Sequence, residues 1–387
     1  MLPLYLQFAL IVLAASVQPF VVPLFLEQKL GSMSAVFVFL CAWPLAVLVG
    51  LMPCFNLAAR GNRYRWVMSL GLGYLALYQL MLASLGSNDT LTLGALVVVY
   101  ALHCGLFWLP RHVLVSFATA SHRVGAQTST MQLIALGVGV LAPITAGAVA
   151  ERLSFEASFL VAASFALLSI FPLFLKSLVL PESEVLITSA RETLRLPFSS
   201  TLHRVHFCEG VTEISFTMCW TFAFMHAVGG LERFGLIIGL SALVAGAVSI
   251  GAGRRFDRRN RVSLLYGTTL LRWCAMLSYL LIAIFPSPLL VLLIDVIFRI
   301  VDAAHGTVRG AYIFGLSNKL SPVAFQYNRE FALNSGRASA AAILAVLTYF
   351  GDLSLLWVAM AVGACAQLGW LWLHQLDPEL EEALSRS

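Results

Sequence analysis

Five ionisable residues recur within one apolar stretch: Asp295, Arg299, Asp302, His305 and Arg309. At about 100° per residue they share a helical stripe about 120° wide. Asp295 and Asp302 stand four and three positions from Arg299, so either can pair with it. Glu330, Asn334 and Arg337 repeat a spacing of four and three in the next stretch. Glu209 and Glu213 lie one turn apart, and Arg272 interrupts a further apolar run. A carboxylate held beside an arginine away from water can take up or release a proton when its partner moves. An arginine released from its partner can hold an anionic group. Two uses follow: internal ion pairs that lock helices together, or a network in which a proton or solute replaces one partner. For proton coupling the candidates are Asp302 and Glu213, then Asp295, Glu209 and His103. For solute contact they are Arg111, Arg309, Arg299, Arg272, Arg337, Gln18 and Asn334.

These residues sit in a chain of 387 residues that is 60% hydrophobic and 11% charged. A soluble domain carries roughly 25% charged residues. The apolar residues form runs of about twenty, each long enough to cross about 30 Å of hydrocarbon. Backbone polar groups in lipid must bond internally, so the runs are helices, and the strict alternation of barrel strands is absent. A charge at mid-span costs about 2.5–3.5 kcal/mol on insertion scales, so the stripes must face the interior.

Twelve spans are expected, at 2–26, 34–58, 66–85, 91–115, 129–150, 157–179, 207–229, 234–253, 262–285, 289–314, 330–350 and 354–375. The chain therefore reads as an all-α polytopic membrane protein. An N-terminal six-helix half spans 1–180 and a polar linker 181–206. A second half spans 207–376, followed by a tail at 377–387. The first run starts at Leu2 and is too long for the core of a cleaved signal. Arg60, Arg63, Arg65, Arg329 and most other basic residues fall in alternate loops. Only Lys29, Arg152 and Arg233 fall in the others. That asymmetry places both termini in the cytoplasm of a plasma or inner membrane. The net charge of +5 is thus a topology signal, and nucleic acid is not an expected partner.

The halves look like repeats. Ala59-Arg60-Gly61-Asn62-Arg63 and Asp257-Arg258-Arg259-Asn260-Arg261 lie 198 residues apart (257 − 59), as do Arg111 and Arg309 (309 − 111). Gly253, Asp257, Arg258 and Arg261 resemble the Gly-x-x-x-Asp-Arg-x-Gly-Arg motif of the major facilitator superfamily. Arg60 and Arg63 remain of its first copy, where Ala59 replaces the usual acid. The resemblance implies two six-helix bundles, alternating access, and a conformational latch at these residues. Ala142-Pro143-Ile144-Thr145-Ala146-Gly147 resembles a weakened Gly-Pro-x-x-Gly-Gly motif of proton-driven exporters. Close helix packing is the alternative use of those small residues.

The seven cysteines have no metal-ligand spacing, no phosphate-cradling Gly-Lys-Ser/Thr loop is present, and no nucleophile elbow stands out. Neither a cofactor nor an enzyme activity is expected. The expected function is secondary transport of a small polar or charged solute by a monomer, coupled to protons and leaning to export. Proton-coupled uptake of a polar metabolite fits the same residues. A scaffold or sensor that kept the fold without transport is the rival reading.

Overall fold

The computed structural model describes residues 2–375 except 20, 87–88, 120–123, 177, 179, 182–184, 197, 259–260 and 352–353. It describes backbone alone at 226–228, 246–247, 249–250, 253, 256–258, 261 and 374. The expected tail at 377–387 lies outside the described residues.

Every described element is helical. Helices α1 (Leu2–Ala15) and α2 (Val21–Leu30) make one broken rod, followed by α3 (Met33–Ala59), α4 (Tyr64–Ala83), α5 (Thr90–Ala118), α6 (Val124–Arg152) and α7 (Phe155–Leu168). A short α8 (Ala190–Thr193) lies in the central connection. Then come α9 (Ser199–Thr212), a π-helical segment Glu213–Met218, α10 (Cys219–Val228), α11 (Leu231–Arg258), α12 (Arg261–Ser278) and α13 (Leu280–Ile284). The chain closes with α14 (Pro288–Lys319), α15 (Pro322–Phe350), α16 (Ser354–Ala366) and a 3-10 stretch Gln367–Gln375. Among the described residues, eight helical stretches are each long and apolar enough to cross a membrane. The other four expected spans are also helical. They are the broken α1–α2 rod, the rod interrupted at 213–218, α11 and the charge-bearing α14. Outward-facing Val49, Leu91, Leu243 and Phe350 are largely exposed, as a lipid solvent requires.

The first rod breaks at Pro19, which has no backbone donor and disfavours helix at the residue before it. The Pro19 carbonyl, left without a helical donor because Pro23 four residues on has no N–H, accepts the Thr221 hydroxyl at 2.6 Å. Two seams join the early helices to the late ones: α6 against α11, and α3 against α15. At the first, a Cβ on Gly235 would collide with the Pro143 carbonyl, and one on Gly147 with the Leu231 carbonyl. The Ala142–Gly147 motif is therefore a packing seam, where only hydrogen lets the two backbones approach. The late helices have a similar seam: a Cβ on Gly210 would meet the Leu333 carbonyl, and one on Gly336 the Phe207 carbonyl.

Helix α9 begins at Ser199, eight residues ahead of the expected start at 207. Its Ser199, Thr201 and His206 are buried by neighbouring helices, so polar residues extend the helix. Likewise α15 begins at Pro322, eight residues before the expected 330. Arg329 is thereby corrected from a loop residue to an interior one. Its side chain is 13% exposed, because the helix N-terminus at Pro322 lies more than a turn before it.

The central connection is strapped down at both ends. Asn56 exchanges two hydrogen bonds with the Ile187 backbone, at 2.8 and 2.9 Å. Asn62 Nδ2 donates to the Pro181 carbonyl at 2.9 Å, and Arg65 Nη2 to that of Leu178 at 3.3 Å. Gly61 and Asn62 adopt positive φ (61° and 54°) to make the α3–α4 turn, a conformation easiest for glycine and asparagine. Past this anchor, Asn328 Nδ2 and Ser199 Oγ both donate to the Thr193 carbonyl.

Candidate functional site

Between the early and late helices lies a cavity of about 510 Å³. Its early wall is aromatic: Phe39 and Trp43 of α3, Tyr78 of α4, and Tyr100 and Trp108 of α5. Gln18, Pro19 and Pro23 line it at the break in the first rod. Its late wall is charged and carries four ion pairs. Arg337 grips Glu213 with two guanidinium nitrogens, at 2.7–3.0 Å, while its Cζ lies 5.4 Å from the Trp43 ring centroid. Arg309 Nη1 donates to Glu209 at 2.7 Å. Arg272 Nε donates to Asp302 at 2.7 Å. Arg329 Nη1 donates to Glu330 at 2.7 Å. The wall is thus charge-rich and paired one to one. Buried pairs recover their desolvation cost only with further hydrogen bonds, and each pair has them.

Glu209 also has His206 Nδ1 at 2.7 Å. Arg272 Nη1 donates to Gln367 Oε1, and Gln367 Nε2 lies 3.0 Å from His305 Nε2. Arg337 Nη1 donates to Asn334 Oδ1 at 3.2 Å. His112 Nδ1 sits 3.0 Å from Glu330 Oε1 and 3.2 Å from Arg329 Nη1. That nitrogen can donate to the carboxylate or accept from the guanidinium, but not both at once. The protonation of that nitrogen therefore selects which of the two partners it bonds. Glu213 also opens the π-helical segment. Such segments widen a turn and often occur at functional sites.

The cavity brings together Asp302, Glu213, Glu209, Arg309, Arg272, Arg337, Gln18 and Asn334. Asp295 and Arg299 are placed elsewhere. Asp295 is fully buried, accepts the Tyr279 hydroxyl at 2.7 Å, and faces Arg299 Nε at 3.5 Å. His103 is buried in the early helices, stacked on Phe107, with Nδ1 2.9 Å from the Gly71 carbonyl. Arg111 is buried between α5 and α1, off the cavity lining. Arg60 and Arg63 are exposed at the α3–α4 turn. The proposed latch partners Gly253, Asp257, Arg258 and Arg261 have side chains outside the described residues. The sequence reading missed Arg329, His206 and Gln367. Arg329 and His206 sat at misjudged span edges, and Gln367 is a lone amide in an apolar run.

Hydrogen bonds join early and late helices on both sides of the cavity. Near the α3–α4 turn, Ser116 of α5 meets Ser317 of α14 at 3.0 Å and accepts Gln326 Nε2 of α15 at 3.1 Å. Asn318 Nδ2 donates to the Thr119 carbonyl at 3.0 Å. At the opposite end, Arg152 pairs with Glu232, and Glu151 accepts the Glu232 backbone N–H at 2.6 Å. Ser34 there donates to the Ala345 carbonyl at 2.7 Å.

A family model described as Major Facilitator Superfamily matches residues 4–324. The chain belongs to the major facilitator superfamily. It is a multi-pass integral membrane protein and, as a member of this superfamily, a membrane transporter. Among solved structures it is similar to a bacterial homologue of the iron transporter ferroportin, in an outward-facing state with soaked iron. The TM-score is 0.63 at 16% identity, over 96% of this chain and 98% of that one. At that identity the likeness shows the superfamily fold alone. No curated relative matches the sequence.

Proposed function

We propose that this superfamily member is a secondary active transporter that moves a small polar or charged solute by alternating access, coupled to protons. The observation that carries this reading is the cavity itself. An aromatic wall faces four ion pairs, and bonds bridge early and late helices on both sides. A solute held there reaches one side when one set of bridges parts, and the other side when the opposite set does. The two groups of helices, 1–180 and 207–376 about the central connection, are the bodies that rock. The latch at Gly253, Asp257, Arg258 and Arg261, with Arg60 and Arg63, would then hold one state.

Glu209 is the leading proton site, with Asp302 and Glu213 behind it. A carboxylate shared by an arginine and a histidine has two partners that compete with a proton. Protonation weakens the Arg309 pair and leaves that guanidinium to a solute. The direction we favour is export, on the likeness of Ala142–Gly147 to an exporter motif, by a monomer in the inner membrane with both termini cytoplasmic. The neighbour's iron is not carried over. Among the described residues no group of three His, Cys, Asp or Glu comes together to hold a metal ion.

The test is a thermal-shift screen of charged and zwitterionic metabolites against purified protein, followed by transport of the best hit in proteoliposomes under a pH gradient. Accumulation that follows the gradient supports coupled transport. Accumulation indifferent to a collapsed gradient removes the coupling, and no transport of any binder favours a scaffold.

A further inference from the structure

Every cavity-side arginine of the late helices has its own carboxylate, and so does Arg299 behind them. Arg111 has none: among the described residues it forms no ion pair, although it is only 3% exposed. Its Nε donates to Gln7 Oε1 of α1 at 3.2 Å. Its Cζ lies 4.5 Å from the Phe8 ring centroid and 5.8 Å from that of Trp108. Aromatic contact of this kind takes up the guanidinium faces and leaves the edge for hydrogen bonds. On that edge Nη2 is buried without a partner, and so is Gln7 Nε2, itself on a fully buried residue.

Nε and Nη2 are the two prongs that a carboxylate takes with parallel bonds. Here a neutral amide oxygen occupies one prong and the other is empty. A buried cation left this way is costly unless an anion joins it.

We propose that Arg111 and Gln7 form the receptor for a carboxylate on the transported solute. The solute class is an organic acid or zwitterion with an apolar body. Trp108 and the adjacent His112 line the cavity, so one indole separates a bound solute from Arg111. As the Trp108 ring and the Gln7 amide turn aside, the carboxylate takes both prongs, and Gln7 Nε2 supplies a third donor. The aromatic wall then receives the apolar body. That the solute is transported rests on the function proposed above; the receptor does not.

Full-length protein in lipid-free detergent is unfolded thermally with benzoate, and with benzamide as its neutral isostere. Benzoate is expected to raise the Tm by several degrees more than benzamide. That difference disappears in Arg111→Gln. Gln7→Glu changes one terminal group and places a carboxylate on the fork. It is expected to raise the Tm with nothing added and to abolish the benzoate shift. Three results would each overturn the proposal: equal shifts from benzoate and benzamide, a benzoate shift that survives Gln7→Glu, or a Gln7→Glu protein less stable than the parent. Stabilisation by phosphatidylglycerol with none by benzoate also overturns it, assigning the fork to a lipid headgroup. Benzoate binding without transport in proteoliposomes would sink the carrier reading and leave the receptor standing.

Discussion

Arg309 and Glu209 meet at 2.7 Å from positions 100 residues apart, one on α14 and one on α9. His206 reaches the other carboxylate oxygen from one turn earlier on α9, also at 2.7 Å. The carboxylate is therefore a shared point between two helices, and what happens to its charge is felt by both.

Replacing it with an amide should separate coupling from movement. Glu209→Gln keeps the shape and loses the titratable group. We expect gradient-driven accumulation to fall at least tenfold while solute exchange at equal pH persists. Proteoliposome uptake with and without a pH gradient measures both. Unchanged accumulation would move the proton site to Asp302 or Glu213.

The Arg337–Glu213 pair should behave as a buried pair with water at one edge, since Glu213 is 39% exposed and Arg337 16%. Glu213→Gln is expected to cost about 2 kcal/mol, the worth of hydrogen bonds to a charged group. Because the remaining guanidinium is the costly species, Glu213→Leu combined with Arg337→Met should recover at least half of the loss. Denaturant unfolding in detergent compares Glu213→Leu, Arg337→Met and the double variant, and additive losses would argue against coupling.

The α6–α11 seam should not tolerate a side chain. Gly235→Val forces the Pro143 turn of α6 away and is expected to destabilise by about 1–3 kcal/mol. Gly73 sits inside α4 with open space where its Cβ would lie, so Gly73→Ala serves as the control that should hold or raise the unfolding midpoint.

The Arg152–Glu232 bridge is exposed, so its removal should leave the unfolding midpoint nearly where it is. Its effect should appear in access instead. Arg152→Ala is expected to speed thiol labelling of a Phe39→Cys reporter in the cavity, read at that residue by peptide mass spectrometry because Cys104 lines the same cavity. An unchanged labelling rate would mean that the remaining contacts at that end hold it shut without help.

The charged wall was legible because lipid forbids charge on the outer face, so an embedded ion points inward wherever its neighbours lie. Angle around a helix is readable in this way, but depth behind neighbours is not. Asp295 and Asp302 share one stripe of α14. Tyr279 and Arg299 enclose the first, while the second reaches the cavity. Span edges were also hard to read. Polar residues such as Ser199, His206 and Arg329 look like loop until the helices that bury them are in place. The fifth-span motif resembles an exporter signature and equally suits close packing. The Gly147 and Gly235 contacts show the close packing and leave the exporter likeness as a separate matter. The π-helical turn at Glu213 left no trace in the periodicity, because one widened turn shifts the pattern by a single residue.

The strapped connection limits travel. Up to Ile187 the chain is fastened to α3 by Asn56, and from Thr193 it is fastened to α15 by Asn328. Six peptide steps lie between those anchors, and fully extended they reach roughly 20 Å at about 3.3–3.6 Å each. While both anchors hold, the strap is a leash of fixed length. It caps how far α3 and α15 can swing apart at this end, and any wider opening must first release an asparagine.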